Sequence, residues 1–213
     1  SDTEITAANG EYTSYKISKT SLTINGSGTY VLTGSCSDGS VKVKKGTKDV
    51  TLVLENLDLT SSDTAPIACN KSTSVTVIAV DGTKNTLTDG AKNNDDNYPD
   101  NENAENAVIK CKDGSQVTLC GSGTLNINAN GKNGIKSGST TEDEGEAWLL
   151  IKDITLNITA PVNDAINAEQ LLTIESGNLT ITAADDAIHS DLVLTIGTKD
   201  GEGPSIIVND CYE

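Results

Sequence analysis

Phenylalanine, methionine and arginine are all missing from this chain, aromatic residues make up 3% of it, and its one histidine is His189. A globular α/β enzyme usually fills its core with some Phe and Met. Here the apolar set is Ile, Leu, Val and Ala, beside 19 Gly and many Thr, Ser and Asn. Those are strand and turn residues, and segments with helical periodicity are few, so the chain reads as all-β. All 15 basic residues are lysines, set against 31 acidic ones for a formal charge of −16. Phosphate backbones need a cationic surface, so the charge argues against a nucleic-acid partner, and anionic membranes are disfavoured. No apolar run approaches the length of a membrane span, which argues against membrane insertion. The five cysteines (Cys36, Cys69, Cys111, Cys120, Cys211) include no CxxC and no Cys/His metal spacing. Their odd number leaves at least one thiol free or paired between chains, and most are expected as small buried hydrophobes.

What the chain does have is internal periodicity. Leu149, Ile151, Leu156 and Ile158 return 23 residues later as Leu172, Ile174, Leu179 and Ile181, and Ile166 returns 22 later as Ile188. Upstream, Val50, Leu52, Leu57, Leu59 and Ile67 match positions 149 to 166 at a constant offset of 99. Val117, Leu119, Leu125, Ile127 and Ile135 fit between them, with one extra residue in the turn at 120–123. A weaker copy starts at Val75 and Val77, passes Leu87 and is expected to close at Val108. Each copy holds two i, i+2 apolar pairs and a third strand with a small residue before Ile or Val. Strands this short cannot bury a face alone, but coiled rungs can stack their inward side chains into a continuous core. The expected fold is one right-handed parallel β-helix over 1–213, with rungs of about 22 residues. An N-terminal segment and cap would occupy 1–46, and loops would leave the coil near 90–105, 138–146 and 197–204. A β-sandwich of hairpins is the rival, but it does not predict constant offsets.

The residue two before the third-strand Ile is Asn133, then Asp164, then Asp186. Stacking would place the two aspartates about 5 Å apart, where they repel by roughly 3 kcal/mol at an effective dielectric near 20. A Ca²⁺ ion between rungs would relieve that repulsion, because it takes oxygen ligands from flexible sources. Asn163 and Asp185 precede the pair, and Glu169 and Asp191 follow it. This oxygen-only set favours a hard ion over zinc. The other reading is a column of solvated turn residues. Asp95, Asp96, Asp100 and Glu102 crowd the 93–105 loop without EF-hand spacing, and there a calcium site and a disordered acidic loop are equal alternatives.

The Asp-Ala-Ile and Asp-Asp-Ala-Ile-His-Ser-Asp motifs lie within rungs of the form Leu-Thr-Ile-x-x-Gly-x-Leu-Thr-Ile-Thr-Ala. In these the chain resembles the bacterial extracellular carbohydrate-binding domain-containing family of polysaccharide-lyase-like β-helices, over roughly residues 20–213. The resemblance implies a secreted or cell-surface-attached protein binding several Ca²⁺ ions and attaching to plant cell-wall polysaccharide, cellulosic or pectic. Its calcium aspartates would fall on Asp164, Asp185, Asp186 and Asp191. Asn133 departs from that pattern and weakens any ion beside it. The last rung stops short at Glu213, so a further chain or chain segment is expected to complete it.

Three function classes follow. A non-catalytic binder would use the outward residues of the second strand: Asp58, Asn126, Asn157 and Thr180 in one column, and Thr60, Asn128, Thr159 and Thr182 in the next. Together they form a flat ladder of amides and hydroxyls, with Trp148 as an aromatic platform. A calcium-dependent lyase would need a lysine base, and without arginine that is Lys132, Lys136 or Lys152, with Lys136 best placed. A calcium-hardened adhesin or scaffold needs no glycan. An ice-ordering face is disfavoured, because Asn and Asp break the Thr-x-Thr pattern. The binder is the expected function, with no catalytic residue.

Overall fold

The computed structural model describes residues 15–212, so residues 1–14 of the N-terminal segment and Glu213 lie outside it. The described residues form strands, turns and bends with no helix. Twenty strands make an eight-stranded and a twelve-stranded sheet, and pairing between strands is parallel except for one hairpin.

The eight-stranded sheet holds every third strand of the chain over most of its width. It runs β1 (Tyr15–Ser18), β2 (Ser21–Ile24), β4 (Ser40–Val43), β6 (Ile67–Cys69), β9 (Ala107–Cys111), β12 (Asn133–Ser137), β15 (Ile166–Ala168) and β18 (Ile188–Ser190). The β1–β2 hairpin is antiparallel, with Tyr15 opposite Ile24. The twelve-stranded sheet is two columns joined by long strands. β3 (Gly28–Cys36) and β5 (Val50–Ser61) run through both. The first half of β5 pairs with β7 (Ser74–Ala79), followed by β10 (Gln116–Cys120), β13 (Trp148–Ile151), β16 (Leu171–Ile174) and β19 (Val193–Ile196). Its second half pairs with β8 (Lys84–Asp89), followed by β11 (Thr124–Ala129), β14 (Thr155–Ala160), β17 (Asn178–Ala183) and β20 (Ser205–Asp210). We call these columns the first and second faces, and the eight-stranded sheet the third.

The register explains the sequence pattern. Val50, Val75, Val117, Leu149 and Leu172 lie side by side on the first face, and Leu59, Leu87, Ile127, Ile158 and Ile181 on the second. Ile67, Ile109, Ile135 and Ile166 do the same on the third, and all of these side chains are buried. Parallel strands bury one apolar stripe and leave the alternate residues outside, which is the i, i+2 pattern read along the chain. At the corner between the first two faces the backbone is left-handed, at Asn56, Gly82, Gly121, Asp153 and Gly177. Only Gly, Asn and Asp adopt that conformation cheaply, which accounts for their regular placement. The inward column closes over small residues: a Cβ on Gly134 would stand 2.5 Å from the Ala165 carbonyl oxygen.

Two expectations need correction. The weaker copy closes at Ile109, which pairs with Ile67 and Ile135; Val108 occupies the neighbouring position equivalent to Gly134. The 90–105 insertion hid the true spacing. That insertion is an ordered structure rather than a loose acidic loop. Asn93 and Asn94 are buried inside it, and the Asn93 amide donates to Asp89 and to the Ala107 carbonyl while its oxygen accepts the Glu105 and Asn106 N–H groups. In the last layer Leu194, Ile196 and Val208 keep the inward register yet are exposed, unlike Leu172, Ile174 and Ile181 beside them. Cys69 and Cys111 are buried in register as expected; Cys36, Cys120 and Cys211 are half-buried, and all five are free thiols.

Candidate functional site

The outward residues of the second face form the columns expected from sequence, and the structure adds members. Thr86 completes the row Asp58, Thr86, Asn126, Asn157, Thr180, and Thr88 completes Thr60, Thr88, Asn128, Thr159, Thr182. Both were missed because the copy carrying them is degenerate: Asn85 stands where the others have Leu. Amide side chains are tied from layer to layer. Asn157 Nδ2 donates to Asn126 Oδ1 at 2.9 Å, Asn126 Nδ2 to the Asn85 carbonyl at 3.1 Å, and Asn128 Nδ2 to Thr88 Oγ1 at 3.1 Å. Each primary amide has a second N–H and a second lone pair to offer. The face is therefore a row of donors and acceptors whose rotamers are already fixed, which lowers the entropic cost of gripping an extended polar ligand.

Trp148 is not part of this ladder. It opens β13 on the first face, between Gln116 and Leu171. In the β5 register it aligns just ahead of Val50, whereas the ladder starts at Asp58, at most about 30 Å of extended strand away.

The six candidate calcium ligands do not converge. Asp164 and Asp186 are one above the other, as expected, but Asp164 is 4% exposed and its oxygens are occupied. Oδ1 accepts the Asp186 N–H at 3.2 Å, and Oδ2 accepts the Asn167 amide at 2.6 Å. The Asn163 amide donates to Asn133 Oδ1. Asp186 and Asp191 grip opposite ring nitrogens of His189, at 3.0 and 2.7 Å. The two carboxylates raise the His189 pKa, with the Asp191 hydrogen bond the largest cause and burial opposing it. Glu169 turns away to Lys136 and Ser139. Among the described residues no group of three or more His, Cys, Asp or Glu is arranged to hold a metal. The column as built is a hydrogen-bonded turn ladder.

Two of the lysines considered for a lyase are in ion pairs, Lys136 with Glu169 and Lys132 with Asp96. The lysine that sequence reasoning missed is Lys110, beside Lys136 on the third face. Burial lowers its pKa, and the neighbouring Lys136 charge lowers it further. Its isolation depends on which acids its neighbours capture, which no spacing rule reveals.

The profile of the carbohydrate-binding domain-containing family matches residues 18–199. The chain belongs to this family. A carbohydrate-binding domain-containing protein of Acetivibrio thermocellus is 32% identical over 120 residues, which is 56% of this chain and 41% of that protein. The chain thus matches less than half of that relative's length. A structure of the polysaccharide lyase-like protein from C. thermocellum, a gadolinium derivative, superposes with a TM-score of 0.59 at 21% identity, over 94% of this chain and 90% of that one. At that identity the likeness speaks for the fold.

Proposed function

We propose that this is a non-catalytic carbohydrate-binding protein, secreted and attached at a cell surface, which holds an extended plant cell-wall polysaccharide, cellulosic or pectic, along the second face. In this reading the strands coil into one right-handed parallel β-helix with rungs of about 22 residues. The observation that carries the proposal is the amide pair Asn157–Asn126, tied together and to the Asn85 backbone carbonyl within outward columns that are otherwise mostly hydroxyl, because these columns offer polar groups at successive strand spacings to a ligand that also repeats. Many weak, regularly placed hydrogen bonds suit a polymer better than a small molecule. The test is titration with cellotetraose and with soluble xylan. Asn126→Ala together with Asn157→Ala should weaken binding at least fivefold, about 1 kcal/mol, with Trp148→Ala close to wild type. Equal binding by the double variant removes the ladder reading.

Calcium belongs to the proposal as a separate element. The oxygen chemistry of Asp164, Asp185 and Asp186 suits a hard cation. Loading would require the Asn167 amide and His189 to release their hydrogen bonds, so affinity should be weak, and glycan binding does not run through the ion.

A second reading, a polysaccharide lyase, is favoured by one observation, the desolvated Lys110 beside acidic groups. As a base it would take a proton next to a uronate carboxylate. Growth of ultraviolet absorbance from unsaturated product on polygalacturonate would establish that reading over the binder.

A further inference from the structure

The third face carries a cleft of about 260 Å³, walled by Ala104, Glu105 and Asn106 of the insertion on one side and by Gly138 and Glu169 on the other. Its floor is the outward residue of β9, Lys110, with Ala68 on one flank and Lys136 on the other. Every other charge around it is matched. Lys71 pairs with Asp113 at 3.0 Å, Lys112 with Glu105 at 2.8 Å, and Lys136 with Glu169 at 3.2 Å. Lys110 alone in this group has no ion pair or hydrogen bond among the described residues.

A half-buried ammonium with no counter-ion is costly, and the cost falls when an anion binds. The walls decide which anion. Glu105, Asp113 and Glu169 would repel a second negative charge, so phosphate is disfavoured against a single carboxylate. Asn106 adds a neutral donor: its Oδ1 is taken by the Asp95 N–H at 2.9 Å, which leaves its Nδ2 to give. The volume admits one ring-sized acid and not a long chain segment.

We infer that the Lys110 cleft is a binding site for a monoanionic carboxylate group, the Lys110 ammonium pairing with it and the Asn106 amide donating a second hydrogen bond. It lies on a different face from the ladder and does not depend on the glycan reading. The carboxylate can come from a free small acid or from an acid unit of a polymer, and the experiment separates the two.

The probes are acetate, glucuronate, trigalacturonate and inorganic phosphate, with cellotetraose as the neutral control, each titrated by nuclear magnetic resonance into the folded chain. Glucuronate should bind wild type, and Lys110→Met should weaken it at least tenfold. Lys152→Met should leave it unchanged, as should either lysine variant for cellotetraose. Trigalacturonate tighter than glucuronate identifies a polymer as the source; equal or weaker identifies a free acid. Because Lys110→Met could disturb the cleft, acylation of Lys110 in wild type provides a second readout, slowed by glucuronate and not by cellotetraose. Three outcomes overturn the inference: no carboxylate binding in the millimolar range, equal binding by Lys110→Met, or phosphate binding tighter than glucuronate. Failure of the ladder would appear as lost cellotetraose binding and would leave the carboxylate arms unchanged.

Discussion

Asp89 ends β8 at 1% exposure, holding the 90–105 insertion to the turn that follows β11. Its Oδ1 accepts the Asn130 and Gly131 N–H groups at 2.7 and 3.0 Å, and its Oδ2 accepts the Asn93 amide at 2.8 Å. Those bonds favour the charged form, yet burial outweighs them and raises the pKa from 3.8 to about 6. A carboxyl whose folded pKa lies above its unfolded value binds its proton more tightly when folded. Its contribution is therefore fully present below about pH 4 and is lost as pH rises through about 6. Two pKa units correspond to about 3 kcal/mol, so ionising Asp89 should cost the fold about that much across this window. The perturbation is Asp89→Asn, which cannot titrate. Its own mismatch, an amide facing the Asn93 amide, shifts stability by a constant and leaves the slope alone. Urea unfolding of both proteins from pH 4 to 7.5 gives the difference curve, from which the other carboxylates cancel. Wild type should lose about 3 kcal/mol relative to the variant as pH rises. A flat difference, or one of opposite sign, would refute the reasoning, as would a carboxyl resonance of Asp89 titrating near pH 4.

Asn85 fills a core column that holds Leu57, Leu125, Leu156 and Leu179 in other layers; its Oδ1 accepts the Leu57 N–H at 2.9 Å and its amide reaches the Thr124 carbonyl. Asn85→Leu restores the apolar column yet should destabilise by about 1–3 kcal/mol in urea unfolding, because a buried N–H loses its acceptor. Gly134→Val should cost about 1–3 kcal/mol or more by overpacking against the Ala165 carbonyl and the Ile158 side chain, read as a lowered melting temperature. Calcium removal by chelator should change stability by less than about 1 kcal/mol at micromolar free ion, given the occupied oxygens of Asp164. A fall of several kcal/mol would show that the turn column rebuilds into a full cage.

The parts of this molecule that could be read from its residues are those set by alternation and distance along the chain. Leu149 and Leu172 are neighbours because identical inward positions recur one layer apart, and that arithmetic survives wherever turns keep their length. It failed at Val108 because an insertion of ordered asparagines interrupted the count. The outward columns of the second face were legible for the same reason, since a residue beside a buried Ile must point outwards in a strand. Side-chain pairing was not legible. Whether Asp164 meets a metal or the Asn167 amide depends on angstrom-scale geometry around one turn, and the stacked carboxylates fitted either outcome.

The same distinction ranks the two surfaces as ligand sites. The ladder draws its polarity mainly from neutral hydroxyls and from amides each tied to the neighbouring layer by one bond, so it can hold a ligand weakly at many points without a large desolvation cost at any one of them. The third-face cleft concentrates its bias in one cation that the fold leaves without a counter-ion, in a chain where acidic residues outnumber lysines about two to one. Leaving Lys110 unpaired while Lys71, Lys112 and Lys136 around it each find an acid is a cost the bare fold does not recover. A polymer carrying both hydroxyls and carboxylates could engage both faces, and the separate losses in Asn126/Asn157 and Lys110 variants would then combine to more than either alone, because each site raises the effective concentration of ligand at the other.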